Sequence, residues 1–327
     1  MKQINIAIVG TGKIANTYVK VFKNAQNVNV YAVQAISAEE AQAFADKYDI
    51  EKAYSTPYET INDENVDLVY IATPHTMHYE MSKLFLEAGK NVLCEKPVTL
   101  NAKEAEELYK IAKEKNLFFS EAMWTRFLPV TKTVCDLLDS GRIGNIKFIT
   151  ASTAFNAMHN ERMISPELAG GMLLDCGIYV ITSIFMLLGE DYKDFSTSCV
   201  LSDRGVDLRS ITTLNYENDV TATMFMSMES HFENKITISG DKGYMEIQVP
   251  YNWHNIKIYS TTGEVEEEID PPEQISWGRE YIVDAVAKAI LDGKTYCEEA
   301  SPDKILAVMH LMDAMRKEWG LRYPSEH

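Results

Sequence analysis

The tripeptide Glu95-Lys96-Pro97 places a carboxylate and an ammonium group directly after a short apolar run, Val92-Leu93-Cys94. Such a run is typical of a buried parallel strand, and open α/β sheets bind ligands beyond the carboxyl ends of their strands. An ionisable side chain at this position can therefore reach a substrate and assist proton transfer. The same residues also fit a solvated pair in a loop, because Glu and Lys are usually exposed.

A second pair of candidate residues, Asp175 and Tyr179, lies four positions apart in the glycine-containing run 169–179. On a helix these two side chains share a face. This shared face is a second candidate site. The alternative is a helix entry in which Asp175 caps the helix and Tyr179 packs its ring in the core.

A strand, a glycine turn and a helix are predicted at the N-terminus, where the apolar run Ile4 to Val9 leads into Gly10-Thr11-Gly12-Lys13-Ile14-Ala15. The first Gly permits a tight turn, the second lets a pyrophosphate approach the backbone, and Ala15 keeps helix and strand close. The N–H groups that begin the helix would then face the phosphates. We expect a dinucleotide site here; the alternative is a tight turn that binds nothing.

The elements that must hold these residues form two domains. Residues 1–120 alternate short strands with helices, which predicts a doubly wound parallel sheet of the Rossmann type. Thr56-Pro57 with Glu59 has the pattern of a capping box at one helix start. Six strands are read, at Ile4 to Val9, Val28 to Ala35, around Ala53-Tyr54, Asp67 to Ala72, Asn91 to Cys94 and Leu117 to Phe119.

Residues 121–327 have a different pattern, which predicts an α+β domain with a largely antiparallel open sheet. A helix is expected from Pro129 to Asp139, and apolar residues alternate with others from Val220 to Met228, the period of a strand buried on one face. An open sheet leaves one face without helices. We therefore expect a homodimer in which two such faces cover each other.

Composition narrows the class of protein. A net charge of −17 makes nucleic acid and anionic membranes improbable partners. The five cysteines have no Cys-x-x-Cys spacing, and no apolar run approaches about twenty residues, so we expect a reduced cytoplasmic protein without membrane spans. His75 and His78 stand three apart, but two ligands do not make a metal site, and none is predicted.

Taken together, these motifs resemble the glucose-fructose oxidoreductase, inositol dehydrogenase and MocA family of NAD(P)-dependent oxidoreductases. The resemblance runs nearly end to end and is greatest to the dihydrodiol and D-xylose dehydrogenase branch. It is carried by the N-terminal glycine turn, Ala72-Thr73-Pro74-His75 with His78, Glu95-Lys96-Pro97, Glu121-Ala122-Met123-Trp124-Thr125-Arg126-Phe127, and Asp175 with Gly177 and Tyr179.

The resemblance implies a hydride transfer between a nicotinamide cofactor and a hydroxyl of a sugar or cyclic diol. Lys96 and Tyr179 would flank the reacting hydroxyl, and Asp175 would help to hold it. The residues implied at the cofactor are Gly10, Thr11, Gly12, Lys13, Ile14, Ile36, Thr73, Pro74, His75, Glu95, Trp124 and Arg126. A regulator that senses NAD(P) without turnover is the alternative, although a complete set of Lys96, Asp175 and Tyr179 favours an enzyme.

The sequence identifies the preferred cofactor and the walls of the substrate pocket less closely than it identifies the motifs above. Relatives that prefer NADP carry an Arg just after the second strand and often a basic residue one turn later, whereas Ile36 and Glu40 stand here. This favours NAD over NADP, although no acidic residue is present to bind the ribose. Trp124, Trp253 and Trp277 are candidates for the walls of the pocket, and each also fits a core position.

Overall fold

A computed structural model describes residues 3–326 of the chain. Contacts divide it into two compact units. One comprises the chain up to Trp124 together with Ile275–Leu306, and the other comprises Thr125–Gln274 and the chain from Ala307 onward. The division predicted after residue 120 stays a prediction, and the return of Ile275–Leu306 to the first unit was not predicted.

The strands of the first unit are β1 Ile4–Val9, β2 Val28–Gln34, β3 Lys52–Tyr54, β4 Leu68–Ile71, β5 Asn91–Cys94 and β6 Phe119–Glu121. They form a six-stranded parallel sheet in the order β3-β2-β1-β4-β5-β6, which confirms the predicted doubly wound fold. The last strand, β6, begins two residues later than predicted. The helices between them are α1 Lys13–Asn24, α2 Ala38–Tyr48, α3 Pro57–Asn62, α4 His78–Glu87 and α5 Ala102–Lys115.

A local signal starts α3 where the sequence predicts, and α2 has a cap that was not predicted. Thr56 and Glu59 form the complete capping box at α3, with Pro57 at the first helical position. Ser37 caps α2 by accepting a hydrogen bond from the N–H of Glu40. Both faces of the central strands are covered by helices, so Val69, Leu93 and their neighbours are fully buried.

The strands of the second unit are β7 Ile146–Ala154, β8 Tyr192–Leu201, β9 Asp207–Tyr216, β10 Thr221–Ser227, β11 Lys235–Gly240, β12 Tyr244–Gln248, β13 His254–Tyr259 and β14 Val265–Ile269. They form an eight-stranded sheet in the order β14-β13-β12-β11-β7-β10-β9-β8. All neighbouring strands are antiparallel except β7 and β10, which confirms the largely antiparallel prediction. The remaining helices of the chain are α6 Pro129–Asp139, α7 Glu161–Ile164, α8 Ile178–Leu188, α9 Arg279–Leu291 and α10 Pro302–Trp319.

The two faces of this sheet differ. Ala222, Met224 and Met226 of β10 are fully buried, as their alternation predicts. On the opposite face Phe225 pairs with Ile211 across the strands, and Ile211 is 50% exposed. Phe148 on β7 is 39% exposed on the same face.

One helical stretch in residues 3–326, Pro166–Leu188, is long and apolar enough to cross a membrane, with a mean hydropathy of 1.9. Of this window, 67% is buried inside the protein. A buried helix in a protein core can be equally long and apolar. This stretch is also not one regular α-helix, because it contains a 3₁₀ turn and a π-helical turn.

Candidate active site

The glycine turn between β1 and α1 fits a phosphate group. Gly10 has a φ of +104°, and a Cβ there would lie 2.7 Å from the carbonyl oxygen of Ala72, so no other residue is accommodated. Gly12 precedes α1 without a side-chain cap, and a Cβ added to it would meet nothing within 4 Å in the described part of the chain. The first turn of α1 has no acidic residue. Its N–H groups can therefore bind an anion.

Cations of the first unit lie beside this turn. A groove of about 780 Å³ is lined by Lys13 and Lys20 of α1 and by Trp277 and Arg279 of the returning segment. In a chain with a net charge of −17, such a concentration of positive charge favours an anionic ligand. Thr11 and Ile14, the other predicted cofactor residues of the turn, are partly exposed.

The loop after β4 lies next to the glycine turn. Ala72 donates its N–H to the carbonyl of Val9, and the following residue, Thr73, carries a hydroxyl that is buried with no hydrogen-bond partner among residues 3–326. A buried hydroxyl of this kind calls for a partner that the described chain does not supply. Pro74 is exposed, whereas His75 is only 9% exposed.

The loop after β5 carries Glu95 and Lys96. The backbone N–H of Glu95 donates to the carbonyl of Ile71 at 3.0 Å, which places the two loops side by side at the carboxyl edge of the sheet. The side chain of Glu95 is buried and accepts a hydrogen bond from the Tyr70 hydroxyl at 2.5 Å. Burial raises the pKa of Glu95, whereas the Tyr70 hydrogen bond and the charges of Lys96 and Arg279 oppose this. Lys96 is partly exposed.

Ile36 and Glu40 stand beyond β2, where the sequence predicts them. The Ile36 side chain is 84% exposed, and Glu40 lies exposed in the first turn of α2.

Trp124 is 2% exposed, and the guanidinium of Arg279 lies 4.6 Å from the centre of its indole ring.

Asp175 and Tyr179 belong to the second unit, together with the predicted cofactor residue Arg126, which is 6% exposed. Asp175 lies inside a π-helical turn, Leu173–Gly177, which continues into α8. The alternative in which it caps a helix is therefore wrong. Asp175 and Tyr179 are partly exposed, whereas Gly177 and Ile178 between them are buried. Such π-helical turns are frequent at functional sites.

Two residues that the sequence analysis missed contact this pair. The guanidinium Nη2 of Arg162 lies 2.9 Å from Oδ1 of Asp175, whose side chain is only 14% exposed. The ring of Tyr251 packs edge-on against Tyr179, with ring centres 5.8 Å apart. Neither contact has a local sequence signal, since Arg162 is 13 residues from Asp175 and Tyr251 is 72 from Tyr179.

Asp207, also missed, supports the start of the same helix. Its side chain is fully buried, and Oδ2 accepts a hydrogen bond from the N–H of Leu173 at 2.7 Å. Gly171 has a φ of +114°, and a Cβ there would lie 2.0 Å from Oδ1 of Asp207. Burial raises the pKa of Asp207 to about 7, against hydrogen bonds from the backbone at Leu173 and Met172.

The structure decides between the two roles that the sequence allows for Trp253. Trp253 is fully buried and donates its indole N–H to Ser183 and to the carbonyl of Pro250, so it is a core residue and not a pocket wall. The rings of His75 and His78 lie 5.6 Å apart, but within residues 3–326 no group of three or more His, Cys, Asp or Glu side chains is arranged to hold a metal ion.

Two family models match this chain. "Oxidoreductase family, NAD-binding Rossmann fold" matches residues 4–123, and "GFO/IDH/MocA C-terminal domain" matches residues 131–246.

Individual relatives match over nearly the full length. The chain is 31% identical to a trans-1,2-dihydrobenzene-1,2-diol dehydrogenase of Xenopus tropicalis, covering 97% of this chain and 98% of that protein. It is 31% identical to a D-xylose 1-dehydrogenase (NADP(+)) of Hypocrea jecorina, covering 97% and 92%. A 3-ketoreductase of Actinomadura kijaniata, solved with NADP and TDP-benzene, has a TM-score of 0.87 at 26% identity, covering 97% and 98%. The chain therefore belongs to the glucose-fructose oxidoreductase, inositol dehydrogenase and MocA family of oxidoreductases.

Proposed function

We propose that this protein is an NAD(P)-dependent dehydrogenase that acts on a hydroxyl of a sugar or cyclic diol. The observation that carries the proposal is the convergence of three chain segments at one edge of the parallel sheet. These are the glycine turn, the Thr73 loop and the loop of Lys96. A diol dehydrogenase and a xylose dehydrogenase among the relatives support the substrate class.

The residues at this edge fit a dinucleotide. The uncapped start of α1 and Lys13 suit the pyrophosphate, and the buried hydroxyl of Thr73 suits a polar group of the cofactor. A bound nicotinamide supplies the position that accepts or returns a hydride. The protein's own task is then to bind the alcohol, orient it and move its proton.

In the proposed mechanism, Lys96 polarises the substrate hydroxyl and lowers its pKa by its positive charge. Tyr179, as the phenolate, accepts the proton of that hydroxyl as the alcohol is oxidised to a carbonyl. Asp175 holds the substrate by hydrogen bonding, and the ion pair with Arg162 fixes its carboxylate. In the reducing direction Tyr179 returns the proton to the carbonyl oxygen.

We propose NAD as the preferred cofactor. An NADP 2′-phosphate would need a cation beyond β2, and none of the exposed residues there is basic; they are Ile36, Ala38, Glu39 and Glu40. Because the relatives named above include an NADP-dependent xylose dehydrogenase and a structure solved with NADP, direct titration with both cofactors is required.

We further propose a cytoplasmic homodimer formed through the open face of the second sheet. Ile211, Phe225 and Phe148 give this face an apolar character that a second copy can cover. A reduced cytoplasm agrees with the five cysteines, all of which are free thiols in the described chain.

The experiment is a screen of sugars and cyclic diols with NAD and with NADP, read as absorbance of the reduced cofactor. We expect turnover with at least one class of compound. We also expect calorimetry to detect binding of the cofactor when no substrate is present. Tight cofactor binding without turnover on any compound, in either direction, would support the regulator instead.

A further inference from the structure

His78 connects two loops of the proposed site. It is the first residue of α4, and its side chain is fully buried. Its Nδ1 lies 2.7 Å from the carbonyl oxygen of Pro97, and its Nε2 lies 3.0 Å from the carbonyl oxygen of Thr73. The two ring nitrogens thus contact backbone atoms from the two different loops that carry Lys96 and Thr73.

The chemistry of the ring explains why both contacts matter. Both distances are those of normal hydrogen bonds. A neutral imidazole donates from one nitrogen only, whereas the imidazolium donates from both. Burial, as the largest influence, lowers the pKa of His78, and the charge of Lys96 lowers it further, while the two carbonyl groups raise it. The ring therefore donates to at least one loop in either protonation state, and packs against both.

We propose that His78 is a positioning residue that holds the Thr73 loop and the Lys96-Pro97 loop in a fixed relation through its two nitrogens. The consequence for catalysis rests on the proposed function, in which Lys96 acts on the substrate and Thr73 on the cofactor.

Removal of the imidazole would leave at least one of the two carbonyl groups without its donor and would free the Lys96 loop to shift. A displacement of about 1 Å at a reacting group can lower turnover on the order of 100-fold. The loss should fall on kcat and not on the KM of the substrate, because Asp175, which is proposed to hold the substrate, is untouched by the change.

The test compares three variants of the full chain. His78→Leu removes both ring nitrogens, and His78→Gln keeps a carboxamide that can donate to one or both carbonyls. Ser82→Ala is the matched control, because Ser82 lies on the same helix, is fully buried and contacts Cys94. Hydrogen exchange of residues 72–77 and 95–100 is measured by mass spectrometry without ligands, followed by kcat and KM with NAD or NADP and a substrate from the screen.

We expect faster exchange in both loops in His78→Leu, a smaller increase in His78→Gln and none in Ser82→Ala. The kcat of His78→Leu should fall on the order of 100-fold, with partial recovery in His78→Gln and nearly unchanged KM. Exchange at the wild-type rate in both loops, or an equal rise throughout the first unit, would overturn the proposal. Exchange needs no turnover, so a failed substrate screen would refute the proposed function separately. If His78→Leu does not fold, the same comparison of loop exchange and kcat is made between His78→Gln and the wild type.

Discussion

Asp207 gives the sharpest prediction about the stability of the proposed site. Its fully buried carboxylate supports the start of the helix that carries Asp175 and Tyr179, and Oδ1 has no hydrogen-bond partner in the described residues. Ionisation of such a group costs free energy. Replacement by Asn keeps an oxygen that accepts from the Leu173 N–H but removes the charge. We therefore expect Asp207→Asn to be more stable than the wild type at neutral and alkaline pH.

The magnitude follows from the pKa, which rises from 3.8 to about 7 on folding. A raised pKa in the folded state means that the folded protein binds the proton more tightly. The resulting stability is fully present below about pH 4 and is lost as the pH rises to about 7. At 1.36 kcal/mol per unit the total is roughly 4 kcal/mol, of which roughly 2.5 kcal/mol falls between about pH 5 and about pH 8.

The assay is urea unfolding of the wild type and of Asp207→Asn across this pH range, with the difference in free energy of unfolding plotted against pH. Taking this difference cancels the pH-dependent contributions of titratable groups that both proteins share, such as the buried Glu95. Asp203→Asn, which removes an exposed carboxylate from the turn before β9, controls for the change in net charge. A difference that stays constant over the whole range would refute the assignment of a raised pKa to Asp207.

Three further predictions concern chemistry, cofactor and assembly. Tyr179→Phe should lower kcat on the order of 10²- to 10⁴-fold, because it removes the proton acceptor and keeps the ring that packs on Tyr251. Ile36→Arg combined with Glu40→Arg should shift the ratio of the Kd values toward NADP by about one to two decades, since a charge-assisted contact replaces a repulsion. Ile211→Lys combined with Phe225→Lys should convert a dimer into a monomer by light scattering, because like charges would face each other across a two-fold axis.

Each of these has its own control and its own contrary result. A Tyr179→Phe variant with wild-type kcat would exclude the phenol as proton acceptor. Glu39→Arg is the control for cofactor choice, because it changes the charge next to Glu40. If Glu39→Arg alone shifts the ratio of the Kd values for NAD and NADP equally, the overall charge of the region and not a specific contact sets the cofactor preference. Tyr58→Lys adds a cation at a 65% exposed position of the first unit, and dissociation by that variant, or a monomeric wild type, would reject the sheet interface.

Much of the fold was predictable because it rests on short-range patterns. The glycine turn follows from the run Gly10 to Ala15, and the β10 strand from the alternation between Val220 and Met228. The capping box at Thr56 needs only four residues. The carboxyl edge of the sheet followed from topology, because parallel strands with helical crossovers all end on one side.

The remaining features depend on contacts between residues distant in sequence. Asp207 lies 34 positions from Leu173, and His78 lies 19 from Pro97, so neither contact leaves a periodic signal. Trp253 looked equally suitable for a pocket or a core until its indole N–H was found bonded to Ser183. The return of Ile275–Leu306 to the first unit is likewise a long-range event, which composition and local propensity do not encode.

The most direct test of the central claim is a comparison of Lys96→Met with the wild type in cofactor binding and in turnover. Met has a similar length and no charge, and binding of the dinucleotide is proposed to rest mainly on the Gly10 turn. Calorimetric titration should give a Kd for the cofactor close to that of the wild type. The kcat on a substrate from the screen should fall on the order of 10²- to 10⁴-fold. Wild-type kcat in Lys96→Met would contradict the assignment of Lys96 as the residue that polarises the hydroxyl.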